Sequence, residues 1–237
     1  RTSPSDARQG QVLADIAISR GQTDMAVTYT NNDYGKGLAD AFASAYEAVG
    51  GTITVMSGHE DDKADYSADV AALSAGGSAT LAVLGYADTG GKGIIAASED
   101  TGAFTDYVFA DGMISTTTSG AIGDGSWGTL PAPSGALAAN WLSVAEAGGV
   151  DGTGAYSAES YDAMALIILA SQAAGSTDRA AIQAEIMNVA NAPGIQCSAG
   201  ELGTCLKYIS GGLVVDYVGA TGVEFTAVGE GKGSYAE

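Results

Sequence analysis

Four short β-rich runs recur along the first half of the chain at intervals of 20 to 30 residues. They are MAVTYT (Met25 to Thr30), TITVMS (Thr52 to Ser57), TLAVLG (Thr80 to Gly85) and DYVFAD (Asp106 to Asp111). Three are near-continuous apolar runs, the pattern of strands buried on both faces. Helical periodicity fills the gaps. Tyr34, Leu38, Phe42, Ala45, Tyr46 and Val49 share one spacing, and Tyr66, Val70 and Leu73 another. Ahead of the first strand, DARQGQVLADIAISRG reads as a helix, capped by Ser5 or Asp6 and ended by Gly21. Such alternation predicts an α/β fold, a parallel sheet flanked by helices.

The second half has a different texture. SGALAANWLSVAEAGG, SAESYDAMALIILASQAAG and STDRAAIQAEIMNVAN read as helices, the last capped by Ser176 or Thr177. GELGTCLKYISGG reads as a short helix and VEFTAV as a late strand. That is too few strands for a sheet of its own. The two prolines of GTLPAPSG mark the best linker.

Charge excludes one class of partner. Nine Lys plus Arg face 28 Asp plus Glu, a net charge of −19, and nucleic-acid binding needs a basic face. The excess reads as a solvated acidic surface. A hydrophobic content of 46% supplies a core, and no apolar run is long enough to cross a bilayer. The chain opens on RTSPSD, without Met or leader, which reads as processing or a fragment. Cys197 and Cys205 bracket CSAGELGTC. That spacing is too long for a C-x-x-C motif and predicts a small structural disulfide, the mark of an oxidising compartment.

In an open parallel sheet, ligands bind beyond the carboxyl ends of the strands. The first strand leads into TNNDYGKG and so to Tyr34; the third delivers Tyr86; the fourth delivers Asp111. Two tyrosines and a carboxylate on one rim suit a small organic solute bearing a cationic group. Other chemistry finds no support. GYADTGGKG departs from a phosphate loop, with Gly93 where Ser or Thr belongs. DYGKG lacks the third glycine of a dinucleotide fingerprint. No G-x-S-x-G elbow occurs. The single histidine, His59, follows a strand within the acidic GHEDDKAD and reads as a surface residue. No cofactor, metal site or enzymatic activity is expected.

Several stretches together resemble the periplasmic type I solute-binding proteins of the branched-chain amino acid ABC transporter family. They are RTSPSDARQGQVLADIA, VTYTNNDYGKGLADAFASAYEAVGGTI, LGYADTGGKGIIAASEDTG, FADGM, YDAMALIILASQAAGSTDRAAI and DYVGATGVEF. The resemblance implies two α/β lobes that close on a solute, an extracytoplasmic (periplasmic) location and delivery to a membrane permease. Carried over by motif, Tyr34, Tyr86 and Asp111 are ligand-binding positions. Tyr156, in GAYSAESYDA, falls where the family often has an aromatic near the ligand side chain. Asp stands where some members have Glu, so amides and related small solutes enter the candidate list beside amino acids.

The family also begins with a strand-helix series ahead of RTSPSD. The resemblance therefore implies that residues 1–132 and 223–237 form one lobe, and 133–222 the returning, mostly helical part of the other. A ligand-sensing domain of the same fold is the alternative; no membrane helix follows GKGSYAE, which favours transport. An α/β enzyme using His59 is the third reading.

Overall fold

A computed structural model describes residues 1–114 and 125–237. The chain divides into two compact units. One comprises Asp6–Leu130 with the terminal Glu237; the other comprises Arg1–Ser5 and Pro131–Ala236.

The first unit is the α/β one. Its elements run α1 (Asp6–Ser19), β1 (Asp24–Thr30), α2 (Asp33–Ala48), β2 (Thr52–His59), α3 (Ser67–Ser74), β3 (Thr80–Leu84), α4 (Lys92–Thr101), β4 (Asp106–Phe109) and β5 (Trp127–Gly128). All pairings in its sheet are parallel, in the order β2-β1-β3-β4-β5. Side-chain parity then builds two cores. Met25, Val27, Ala82, Leu84 and Val108 face α1 and α2, where Leu13, Leu38, Phe42 and Tyr46 are fully buried. Ala26, Leu81, Val83, Tyr107 and Phe109 point the other way, onto Val70, Leu73 and Ile94 of α3 and α4. Burial of a side chain such as Leu38 or Phe42 contributes about 1.5–3 kcal/mol. The α1–α2 contact depends on Gly10, since a Cβ there would sit 2.7 Å from the Phe42 backbone nitrogen.

The second unit contains β6 (Leu130–Pro131), where the chain passes from the first, then α5 (Gly135–Ala147), α6 (Ser157–Ala174), α7 (Arg179–Ala190), β7 (Ile195–Ser198), α8 (Leu202–Ser210), β8 (Val215–Gly219) and β9 (Tyr235–Ala236). β7 and β8 form a parallel two-stranded sheet, and β6 pairs with β9. Leu166 and Leu169 of α6 pack on Val189, Cys197, Cys205, Val215 and Tyr217. Cys197 and Cys205 are joined as a disulfide that ties β7 to α8. On the opposite side of α6, Met164 and Ile167 are exposed.

Five expectations change. VEFTAV is not a strand: its only ladder contact among the described residues is the bridge Phe225–Gly231. The Asn191 side-chain amide takes the place of a strand partner, donating to Phe225 O (2.8 Å) and accepting from Phe225 N (2.9 Å). Residues 223–236 consequently belong to the helical unit rather than to the α/β lobe, because Val223 and Phe225 are buried in its core. Arg1–Ser5 lies there too: the Arg1 backbone carbonyl accepts from Gly231 N at 3.0 Å. The cap of α7 is neither Ser176 nor Thr177 but Asp178, whose carboxylate accepts from Ala180 N and Ala181 N. His59 is buried, not on the surface, at 1% exposure. It is the last residue of β2, held to Thr28 and covered by the chain at Gly90.

Glu159, in the first turn of α6, is 4% exposed. Burial pushes its carboxyl above the ordinary Glu range, and the nearby Asp162 adds to that. An acid displaced upward in the folded state binds more protons there than when unfolded. Its contribution to stability therefore falls as pH rises from the usual Glu range through the raised folded value. Glu159→Gln should flatten that dependence and leave the protein at least as stable as wild type at neutral pH. Urea unfolding of both proteins across pH 4–8 checks this, and parallel curves would refute it.

Candidate functional site

The strand order reverses direction at β1: β2 lies on one side of it and β3 on the other. A crevice opens at such a switch point, beyond the carboxyl ends of the two strands. Tyr34 follows β1 and Tyr86 follows β3, so both stand at this crevice. Their rings stack with centroids 5.1 Å apart at an interplanar angle of 27°. The Tyr34 hydroxyl donates to Asp111 Oδ1 at 3.4 Å. Three residues from three strand ends therefore meet in one cluster. Tyr34 and Asp111 are half-buried and Tyr86 is 40% exposed.

Local sequence sets each position. In TNNDYGKG, Asn32 is the N-cap of α2 and its side chain accepts from Gly35 N at 2.9 Å. Gly35 lets the helix start directly over the strand end, since a Cβ there would lie 2.2 Å from Thr30 O. Tyr34, fixed between cap and glycine, directs its ring to the rim and also packs on the α1–α2 core. Gly35→Ala should push this turn outward, destabilise the unit by about 1–3 kcal/mol and separate the two tyrosine rings. Chemical denaturation and a crystal structure of the variant check both effects.

Tyr86 opens a π-helical turn, Ala87–Gly91, in which Gly91 N donates to Tyr86 O at 2.9 Å. Such turns collect at functional sites. Asp111 begins a 3-10 turn, Asp111–Met113, anchored by the fully buried Met113. Gly112 allows that turn to approach Tyr86: a Cβ there would sit 2.4 Å from Gly85 O and 3.2 Å from Tyr86 Cδ1. At the ends of β1 and β2, Asn31 Nδ2 donates to Glu60 Oε1 at 2.5 Å. This pair and the glycine contacts escape sequence reasoning. Only the glycines leave a signal, standing beside Tyr34, Tyr86 and Asp111 in DYG, GYADTGG and DGM.

Tyr156 lies in the other unit, as the N-cap of α6 with φ 60°. It is 38% exposed. Among the described residues, no group of three or more His, Cys, Asp or Glu is arranged to hold a metal ion. The stacked tyrosines offer aromatic faces and Asp111 a carboxylate, a set that attracts an organic cation.

No family model matches the sequence, and no curated protein matches it. Solved structures do. A leucine-binding protein from Thermotoga maritima superposes with a TM-score of 0.73 at 21% identity, over 99% of this chain and 62% of that one. An ABC transporter substrate-binding protein from Desulfitobacterium hafniense, in complex with Leu, gives 0.60 at 18% identity, over 99% and 62%. A solute-binding protein from R. palustris, in complex with 4-hydroxybenzoate, gives 0.66 at 19%, over 80% and 55%. The chain thus spans less than two thirds of the length of these structures. No helix among the described residues is long and apolar enough to cross a membrane. Within that span, the chain has the type I fold of the periplasmic solute-binding proteins.

Proposed function

We propose that the protein is the extracytoplasmic solute-binding component of an ABC transporter. It takes an amino acid or a related small polar solute and delivers it to a membrane permease. The observation that carries this reading is the Tyr34–Tyr86 stack with Asp111 beside it at the sheet's switch point. Tyr34 and Tyr86 shape one wall, and Asp111 pairs with an ammonium or amide group of the solute. By its resemblance to the family, Tyr156 is a further ligand-binding position. The fold supports the transport role, and two proteins that share it are complexed with Leu and with 4-hydroxybenzoate.

The 237-residue chain offers one wall of this kind, so it should hold leucine only weakly or not at all. The full-length protein should bind its solute and melt at a higher temperature when saturated. A thermal-shift screen of the full-length protein against amino acids, amides and aromatic acids tests the function. No shift with any of them would defeat the proposal. Calorimetric titration of leucine into the 237-residue chain tests the second claim, and tight binding there would contradict it.

A further inference from the structure

Beneath the turn that carries Tyr86 lies a polar interior that the rim chemistry does not use. His59 is 1% exposed, and its Nδ1 is 2.8 Å from the hydroxyl of Thr28, itself 1% exposed. The other ring nitrogen, Nε2, is buried without a hydrogen-bond partner, as is Asp61 Oδ1. Both atoms lie 3.0 Å from the place a Cβ on Gly90 would occupy, so they converge under the same residue of the π-helical turn. The hydroxyls of Thr30 and Thr89 are also buried and unpartnered; Thr30 pairs with His59 across the sheet, and Thr89 precedes Gly90. Leaving a buried polar atom unpartnered is costly. Several in one place are commonly satisfied by an ordered water.

The segment after His59 is bound to the same turn. Asp62 N donates to Thr89 O at 2.6 Å, and the Tyr66 hydroxyl donates to Glu60 O at 3.1 Å. The Tyr66 ring meets the His59 ring edge-on at 6.1 Å between centroids. Four titratable groups surround the imidazole: Asp61, Asp69, Glu60 and Lys63. Burial holds it below the ordinary histidine range despite the three carboxylates, so it is neutral at neutral pH. A neutral imidazole with a carboxylate oxygen before Nε2 carries its proton there. Nδ1 then accepts from the Thr28 hydroxyl.

We propose that His59 is a positioning residue for Tyr86, acting through one buried water that Nε2 donates to and that donates in turn to Asp61 Oδ1 beneath Gly90. The sheet fixes Thr28, Thr28 fixes the imidazole, the water passes that rigidity to Asp61, and the Asp62 N–Thr89 O hydrogen bond passes it to the Ala87–Gly91 turn. Gly90 is required because a side chain would take the water's place. The functional importance of this device rests on Tyr86 being a wall of the solute site, but its existence does not.

The test uses the 237-residue chain. A high-resolution crystal structure should show a water within hydrogen-bonding distance of both His59 Nε2 and Asp61 Oδ1, and nitrogen-15 NMR should show the Nε2–H tautomer. His59→Phe keeps the ring's bulk and removes both hydrogen bonds. It should speed amide exchange at Gly91, whose N–H donates to Tyr86 O, by about tenfold or more. His59→Gln, which can accept and donate at once, should bring exchange back to within about threefold of wild type. Should His59→Phe fail to fold, Asp61→Ala at a half-exposed position should show the same local acceleration. Direct contact between His59 and Asp61 without water, the opposite tautomer, or unchanged Gly91 exchange in a folded variant would each overturn the proposal. None of these readouts depends on a solute, so a failure to bind amino acids would strike the functional reading and leave this one standing.

Discussion

Replacing Asp162 by Ala should destabilise the helical unit by about 3–5 kcal/mol, the largest effect expected of any single substitution here. Asp162 is completely buried in α6. Its Oδ1 accepts from the Tyr217 hydroxyl (2.9 Å) and Ala220 N (2.8 Å), and its Oδ2 from Thr221 N (2.9 Å) and the Thr221 hydroxyl (2.7 Å). Burial pushes the carboxyl upward, and these donors pull it part of the way back. Burial also pushes the Tyr217 phenol far up, so it remains a donor at any ordinary pH. The carboxylate thus holds the end of β8 and the turn after it against the helix. Gly219, at φ +62°, makes the wrap possible, since a Cβ there would lie 2.3 Å from Asp162 Oδ1. Alanine removes the acceptor and strands the donors in an apolar interior. Asparagine fits the space but turns an NH₂ toward groups that themselves donate, so it should recover only part of the loss. Each unit contains one tryptophan, Trp127 in the α/β unit and Trp141 in the helical one, both buried. Urea unfolding followed through Trp141 in a Trp127→Phe background reads the helical unit by itself. A midpoint unmoved by Asp162→Ala would refute this account.

The second large effect concerns the solute. If Asp111 pairs with an ammonium, Asp111→Asn in the full-length protein should weaken a cationic ligand by about 1.5–3 kcal/mol, or roughly 10- to 150-fold. Leucine is a suitable probe. An aromatic acid without an ammonium should respond in the opposite sense, because the substitution removes a negative charge near its carboxylate. Titration calorimetry with leucine and with 4-hydroxybenzoate separates these outcomes. Unchanged leucine affinity would take Asp111 out of the role.

The sequence exposes the α/β unit because its strands are buried on both faces. MAVTY and TLAVL carry apolar side chains at both parities, and the rim is read from where those runs stop. Tyr34, Tyr86 and Asp111, which the strand ends deliver, lie in one cluster. Strand order is not readable, because parallel strands are joined by helices that fit several orders. β7 and β8 are hidden for another reason: Gln196, Ser198 and Asp216 dilute runs of four and five residues. VEFTAV misleads in the opposite direction. Its aromatic and β-branched residues suit a strand, but the Asn191 amide satisfies the Phe225 backbone from 34 residues away. His59 misleads through its neighbours. Most of the acidic residues after it are solvated, while the chain at Gly90 covers the histidine itself.

The division of the chain has a genetic consequence. Apart from the final residue, the α/β unit is encoded without interruption from Asp6 to Leu130. Tyr34, Tyr86 and Asp111, with the glycines that seat them, all fall inside that one stretch. In evolutionary terms it is a cassette held between two junctions. One recombination event can exchange the whole tyrosine-carboxylate rim, leaving the Asp162 lock and the disulfide in the flanking sequence untouched.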